Sequence, residues 1–370
     1  MPWKAELAKN ITTIKQLKEY IDITSLEEKQ LQRVIEKHPM SITRYYLSLI
    51  DKKEPNDPIR KMIIPSVEEF NLSGSWDPSG EMQITKMPGL QHKYMPTALI
   101  LSTNRCTAYC RYCFRKRLVG LSTGEIIEHF DKALDYISEH KEITNVLISG
   151  GDTLILPTEV IENFLKKLST MKHLFFLRIG SKVPIIFPDR ILEDENLLSV
   201  LKKYSTPERR LYINTQFNHP RELTRKSIRA INKLIRRSII INNQTVLLKG
   251  VNDDPDTIAF LQNKLTGIGI IPYYIFQCRP VKRVKQSFQV PLYKGYMIIN
   301  KAKRQLSGLS KRFRYVMSHR TGKIEILGIM DDDMYFRYYE AKDPKNLGKL
   351  FKRKLHYTAG WLDDFNGNQK

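Results

Sequence analysis

An α/β fold, built as a partial (β/α)6 barrel with a helical N-terminal region and a β-rich C-terminal extension, is predicted by three observations. Strand-like runs at Ala98–Ser102, Asn145–Ser149, Phe175–Ile179, Leu211–Asn214, Ile239–Leu248 and Ile270–Phe276 alternate with helical segments at about 126–140, 158–170, 190–204, 224–237 and 255–265. Such alternation places βαβ units on a parallel sheet, and six strands favour an open barrel over a closed eight-stranded one. Second, polar and glycine residues collect just after successive strands: Ser149-Gly150-Gly151-Asp152, then Ser181, Asn214-Thr215-Gln216 and Cys278-Arg279. Ligands of such folds sit at the carboxyl ends of the strands, so this end is the predicted active face. Third, the flanks differ in pattern from the middle, which divides the chain into 1–95, 96–290 and 291–370.

In the first part, Thr24-Ser25-Leu26-Glu27 has the form of a capping box, Leu31, Val34 and Ile35 share a helix face, and Pro39 stops the helix. Residues 60–95 carry Gly74, Pro78, Gly80, Pro88 and Gly89 with weak periodicity, and read as a connecting segment with little regular structure. In the last part, a helix at about 292–306 precedes candidate strands Tyr315–Met317, Lys323–Leu327 and Tyr335–Tyr339 of a β-rich tail.

Composition bounds the function. The 370 residues, 41% hydrophobic and 27% charged, suit a globular protein with no apolar run of membrane-spanning length. Four cysteines, three of them clustered, do not form a disulfide framework, and a reducing cytoplasm is expected. The net charge of +22 favours polyanions. Its basic residues are scattered in short runs, such as Arg236-Arg237 and Lys352-Arg353-Lys354, and no RNA-recognition motif accompanies them, so nucleic acid is not the expected partner.

The chemistry concentrates after the first strand, in Cys106-Thr107-Ala108-Tyr109-Cys110-Arg111-Tyr112-Cys113. Clustered thiolates select iron–sulfur centres, zinc or copper. Zinc would want a fourth ligand, and no Cys or His stands close by to supply it. Three thiolates leave one iron of a four-iron cube uncapped and free to bind a substrate. The alternative is a buried or zinc-bound cysteine knot. Gly150-Gly151 permits close backbone approach to a ligand, or else makes a tight strand-to-helix turn.

The Cys-x-x-x-Cys-x-x-Cys spacing resembles the signature of the radical S-adenosylmethionine superfamily, in which the open iron chelates S-adenosylmethionine and its cleavage yields a 5'-deoxyadenosyl radical. Within that superfamily the chain resembles the lysine 2,3-aminomutase family from about residue 10 to at least 300. The matching stretches include Asn56-Asp57-Pro58-Ile59-Arg60-Lys61, Cys110-Arg111-Tyr112-Cys113-Phe114-Arg115 and Leu147-Ile148-Ser149-Gly150-Gly151-Asp152. Further along stand Arg178-Ile179-Gly180-Ser181, Phe217-Asn218-His219-Pro220, Asn243-Gln244-Thr245-Val246-Leu247-Leu248-Lys249-Gly250 and Pro272-Tyr273-Tyr274.

The resemblance implies a 4Fe-4S cluster on Cys106, Cys110 and Cys113, S-adenosyl-L-methionine, pyridoxal 5'-phosphate, and movement of an amino group from C2 to C3 of an amino acid. It implies cofactor contacts from Ser149, Gly150, Gly151, Asp152, Arg178, Gln216, Gln244, Lys93 and Tyr94. Arg115 matches the arginine that grips the substrate carboxylate, with a surface arginine as the alternative. Lys323, in Ser318-His319-Arg320-Thr321-Gly322-Lys323, is the nearest match to the lysine that tethers pyridoxal phosphate; it is either that residue or an exposed hairpin lysine. Arg279 stands where the lysine-specific enzymes carry an aspartate for the substrate ammonium, so free lysine is not the expected substrate. Flavodoxin or ferredoxin is the implied type of electron donor. The family's interfacial zinc cysteines are missing, Asp254 taking one such place, so any homo-oligomer forms without them. Cys278 reads as a buried, inert thiol. Two rival readings are a radical enzyme without pyridoxal phosphate acting on RNA or protein, and a non-enzymatic metal-holding module that binds nucleic acid.

Overall fold

The computed structural model describes residues 2–365; the end of the predicted tail, 366–370, lies outside the described residues. One continuous sheet of twelve strands runs in sequence order. It comprises β1 (Thr85–Met87), β2 (Leu90–Tyr94), β3 (Thr97–Thr103), β4 (Asn145–Gly150), β5 (Phe176–Gly180) and β6 (Leu211–Thr215), then β7 (Ile240–Leu247), β8 (Ile271–Gln277), β9 (Arg314–His319), β10 (Gly322–Met330), β11 (Asp333–Ala341) and β12 (Leu350–Lys354). Neighbours from β3 to β9 pair in parallel, while β1–β2–β3 and β9–β12 pair antiparallel.

The α/β partial barrel and β-rich C-terminal region expected from the sequence are present, with two differences. The parallel set holds seven strands, because β9 pairs with β8 through Tyr274↔Arg314, Ile275↔Tyr315 and Phe276↔Val316. Only two residues separate β9 from the hairpin partner β10, so a parallel strand looks in sequence like the first arm of a hairpin. The stretch before residue 95 also contains the β1–β2 hairpin. Pro88-Gly89 is its turn, with Gly89 at φ +81°, rather than a sign of irregular chain.

Six crossover helices, Phe130–Glu139, Thr158–Ser169, Glu195–Lys203, Arg225–Ile235, Pro255–Gly267 and Leu292–Arg304, follow β3 to β8 in turn. Each buries one stripe, with Ile137, Leu165, Leu201, Ile231 and Leu265 fully enclosed. Asp194, Thr224 and Asp254 cap three of them by accepting the first free amides. The capping box at Thr24 forms with both halves in place, and the helix Ser25–Lys37 ends at His38 as the proline requires.

The N-terminal helices pack on the same core as the barrel, Ile14, Leu17, Tyr46 and Met62 being joined to Ile148, Ile213 and Ile241. A second core, around Phe313, Ile324, Phe336 and Trp361, sits beneath the antiparallel β9–β12. The first and last flanks of the curled sheet meet through side chains: Lys93 of β2 donates to the carbonyl of His319, and Ser79 Oγ donates to that of Ser318 at 2.7 Å. Among the described residues no helix is long and apolar enough to cross a membrane.

Candidate active site

The loop between β3 and the first crossover helix carries the cysteines and has almost no regular structure of its own. Other parts of the chain give it shape. Tyr109 N–H donates to Ser41 O at 2.9 Å, Arg111 N–H to Met62 O at 2.9 Å, and Asn10 Nδ2 to Thr107 O at 2.7 Å. Beneath it lies a buried triad: Glu69 accepts from Arg111 Nε at 2.7 Å and Nη2 at 2.6 Å, and meets Lys116 Nζ at 2.6 Å. The two cations overcome the cost of burial and hold the Glu69 carboxyl down to about 2. The N-terminal region is therefore the cradle of the cysteine loop.

Cys106, Cys110 and Cys113 line a cavity of about 330 Å³ at the carboxyl end of the parallel strands. Burial raises the Cys106 thiol well above its ordinary value and the Cys113 thiol to about 11, so a metal taking them as thiolates displaces protons. Three clustered thiols lining one cavity are a donor set that fits an iron–sulfur cluster.

Opposite the thiols stands the turn after β4. A Cβ on Gly151 would lie 2.0 Å from Arg105 O, and one on Gly150 2.3 Å from Thr103 O. Both positions require glycine for the two loops to touch, and Gly150 also has φ +123°. Gly151→Ala is expected to prise the loops apart, lowering thermal stability by about 1–3 kcal/mol and weakening S-adenosylmethionine binding. Unchanged melting and calorimetric affinity would contradict this.

Asp152 accepts from Ser181 Oγ at 2.7 Å and from the amides of Leu154, Lys182 and Val183 at 3.1, 2.7 and 3.1 Å. Its acceptor sites are spent inside the protein. It braces the loop after β5 against the loop after β4, and burial pushes its carboxyl up to about 6. Gln216 accepts from Tyr112 Oη at 3.0 Å, a hydroxyl that also receives Asn218 Nδ2 at 2.7 Å and Lys182 Nζ at 2.8 Å. The cysteine loop is thereby tied to the ends of β5 and β6.

Lys323 is largely enclosed, its side chain 11% exposed, and its ammonium meets Glu340 of β11 at 2.9 Å. The rings of Tyr94 and Tyr274 lie 5.3 and 4.6 Å from it. Burial lowers its pKa despite Glu340, the environment that activates a carbonyl-binding amine. The exposed-hairpin alternative is thus incorrect, because the side chain of the first residues of β10 turns inward. Lys93 is half-buried and pulled down to about 7, first by desolvation and then by Arg279. Arg178 projects from β5 into the same cavity, donates from Nη2 to Asn145 Oδ1 at 2.5 Å and among the described residues makes no ion pair, and burial lowers its pKa. Its Nε, with Asn214 Nδ2 and Thr215 Oγ1, is buried without a hydrogen-bond partner. Gln244 and Tyr94 complete this end. Unpartnered donors around an amine fit a phosphorylated carbonyl cofactor.

Arg115 is also buried, not on the surface. Its guanidinium pairs with Glu81 at 3.0 Å and donates to Ser149 Oγ at 3.2 Å and Gly150 O at 3.1 Å. Arg117 joins Glu81 at 3.0 Å, and the cations hold the buried Glu81 carboxyl down to about 2. Arg279 differs from both. Among the described residues its guanidinium makes no hydrogen bond or close ion pair, though the Glu81 charge acts on it, and it stacks 3.8 Å from the centre of the Phe114 ring. Burial draws it down to about 10.

Every predicted site residue therefore lines one cavity, which holds six cationic side chains against three carboxylates. Glu69, Glu81, Glu340, Phe114 and Tyr274 escape sequence reasoning, since each acts through a partner distant in the chain. Cys278 lies at the cavity wall, buried, its thiol pushed up to about 12.

The radical SAM superfamily pattern matches residues 100–261. The chain is 43% identical to an Aquifex aeolicus protein provisionally named L-lysine 2,3-aminomutase, covering 95% of this chain and 96% of that one. It is 40% identical to the L-lysine 2,3-aminomutase of Clostridium subterminale, over 83% of this chain and 73% of that enzyme. The chain belongs to the lysine 2,3-aminomutase family of radical S-adenosylmethionine enzymes. That family also includes a Clostridioides difficile glutamate 2,3-aminomutase, 34% identical over 83% of this chain and 72% of that enzyme. Membership of the lysine 2,3-aminomutase family makes the chain an enzyme of the isomerase type and sets aside the non-enzymatic module.

Proposed function

We propose that the chain is a cytoplasmic radical S-adenosylmethionine aminomutase that shifts the amino group of an anionic α-amino acid from C2 to C3. The observation that supports it is the meeting of three thiols, a glycine cradle and an enclosed lysine in one cavity. Bound there, the cluster and S-adenosylmethionine supply a hydrogen-abstracting radical, and pyridoxal phosphate supplies an electron sink for the migrating nitrogen.

The residues divide the remaining work. Cys106, Cys110 and Cys113 hold the cluster, and Gly150-Gly151 give backbone access beside it. Lys323 presents its amine at the far end, while Arg178, Lys93, Tyr94 and Gln244 would hold the phosphate of that cofactor. Arg115, fixed by Glu81, orients the substrate carboxylate as a planar fork. The aromatic walls exclude water. A flavodoxin or ferredoxin delivers the electron.

Arg279 sets the substrate. A half-buried guanidinium that shares Glu81 with Arg115 and Arg117 and makes no close ion pair of its own, in a cavity richer in cations than carboxylates, favours a side-chain carboxylate over an ammonium. Anaerobic reconstitution followed by an amino-acid screen for 5'-deoxyadenosine and β-amino acid release tests this. Acidic amino acids are expected to turn over, and turnover of lysine but no acid would overturn the assignment. Arg279→Gln is expected to lower kcat/KM for an acidic substrate by about a hundredfold, with cluster iron unchanged.

A further inference from the structure

On the outer side of β2, away from the cavity, His92 faces His140 and Glu142, and one donor atom of each lies within 4.8 Å of the others. We propose that His92, His140 and Glu142 form a binding site for a divalent first-row transition ion such as zinc, separate from the thiol cluster. Two imidazoles and a carboxylate are a donor set zinc accepts, with water in the fourth position. They exclude the hard ions, which want oxygen alone.

The surroundings orient the imidazoles. His92 uses Nε2 on Met95 O at 3.1 Å and Nδ1 on Tyr136 Oη at 3.0 Å. In the neutral ring Nε2 then carries the proton and Nδ1 accepts. A metal-binding histidine commonly gives its other N–H to a carbonyl in this manner, which leaves Nδ1 for the ion in place of the tyrosine hydroxyl. His140 Nδ1 and Glu142 Oε1 already meet at 2.7 Å, and that contact holds the carboxyl below its ordinary value.

His140 caps the C-terminus of the helix Phe130–Glu139. Unpaired carbonyls at a helix end favour a nearby cation. The His140 ring stacks on Tyr136 at 4.0 Å and meets the His92 ring edge-on at 5.7 Å, so both rings are held in place. Donors around tetrahedral zinc stand roughly 3.3 Å apart. Closing from the present spacing takes small side-chain torsions of His92 and His140 along with the exposed Glu142.

An ion here staples β2 to the end of the first crossover helix. Lys93 and Tyr94, which line the cavity, follow His92 on the same strand. The ion takes no part in the reaction, since it stands on the strand's other side.

The test uses cluster-loaded protein under anaerobic conditions, so that the thiols are occupied, titrated with zinc against a chromogenic chelator. One zinc per chain is expected. Second-sphere losses alone weaken sites ten- to a hundredfold, so His140→Ala is expected to cost about a hundredfold or more. Glu142→Gln, at an exposed position that cannot unfold the chain, is expected to weaken binding as well. Tyr136→Phe, which deletes only the hydroxyl the ion displaces, is expected to bind at least as tightly as the parent. His129→Ala serves as the neutral control. Absence of zinc binding in the parent, or equal affinity in the parent and Glu142→Gln, would overturn the site.

Discussion

Lys323→Ala protein is expected to purify with its full complement of iron and no tightly held pyridoxal phosphate. The amine lies 5.3 and 4.6 Å from the rings of Tyr94 and Tyr274, and burial lowers its pKa toward the neutral form a carbonyl requires. Its removal also leaves Glu340 of β11 without its 2.9 Å partner. Amino-group migration is expected to fall by about a thousandfold or more, since the cofactor carries the difficult chemistry and is no longer held. Iron analysis and pyridoxal absorbance, read on the same sample, separate this outcome from general damage. Stoichiometric cofactor retained by the variant would show that the anchor lies elsewhere. Normal iron with lost absorbance would identify the lysine.

The second large effect is expected far from any reacting atom. Glu69→Gln leaves Arg111 and Lys116 buried with no carboxylate, in the triad under the cysteine loop. Removing one member of a buried, hydrogen-bonded ion pair costs about 3–5 kcal/mol. Because Arg111 N–H also ties the loop to Met62 O, the loss is expected to loosen the cysteines as well as the fold. Iron retention should drop along with the melting temperature, though no cysteine is changed. The sign with pH follows from the carboxyl being lowered from 4.5 to about 2. Its contribution is complete above the unfolded value and is lost as pH falls through the folded one. The parent protein is thus expected to lose stability relative to Glu69→Gln between about pH 4.5 and 2. Parallel acid titrations of the two proteins would contradict this reading.

The chemistry proved more legible in the sequence than its supports. Thiols at fixed spacing and a Gly-Gly pair after a strand are local signals, and the cavity collects both, whereas the inward turn of Lys323 was left open by the sequence. The carboxylates that position them are not local. Glu69, Glu81 and Glu340 stand 42, 34 and 17 residues from Arg111, Arg115 and Lys323. No periodicity marks such pairs, because they depend on how the loops cross rather than on any repeat. Strands buried on both faces were readable as apolar runs, whereas β1 has only three residues and an exposed pattern. β9 was visible as a strand, but its direction of pairing is decided by the helix Leu292–Arg304 that precedes it. Direction is a tertiary fact.

The seam where β2 faces β9 and β10 is closed by side chains, not by a ladder. Backbone pairing stops at β1 on one side, and the gap is spanned by Lys93 reaching His319 O and by Tyr94 beside Lys323. A wall fastened by rotatable side chains parts without unzipping a ladder. Lys93 and Tyr94, which line the cavity, are thus also the side chains that fasten its wall.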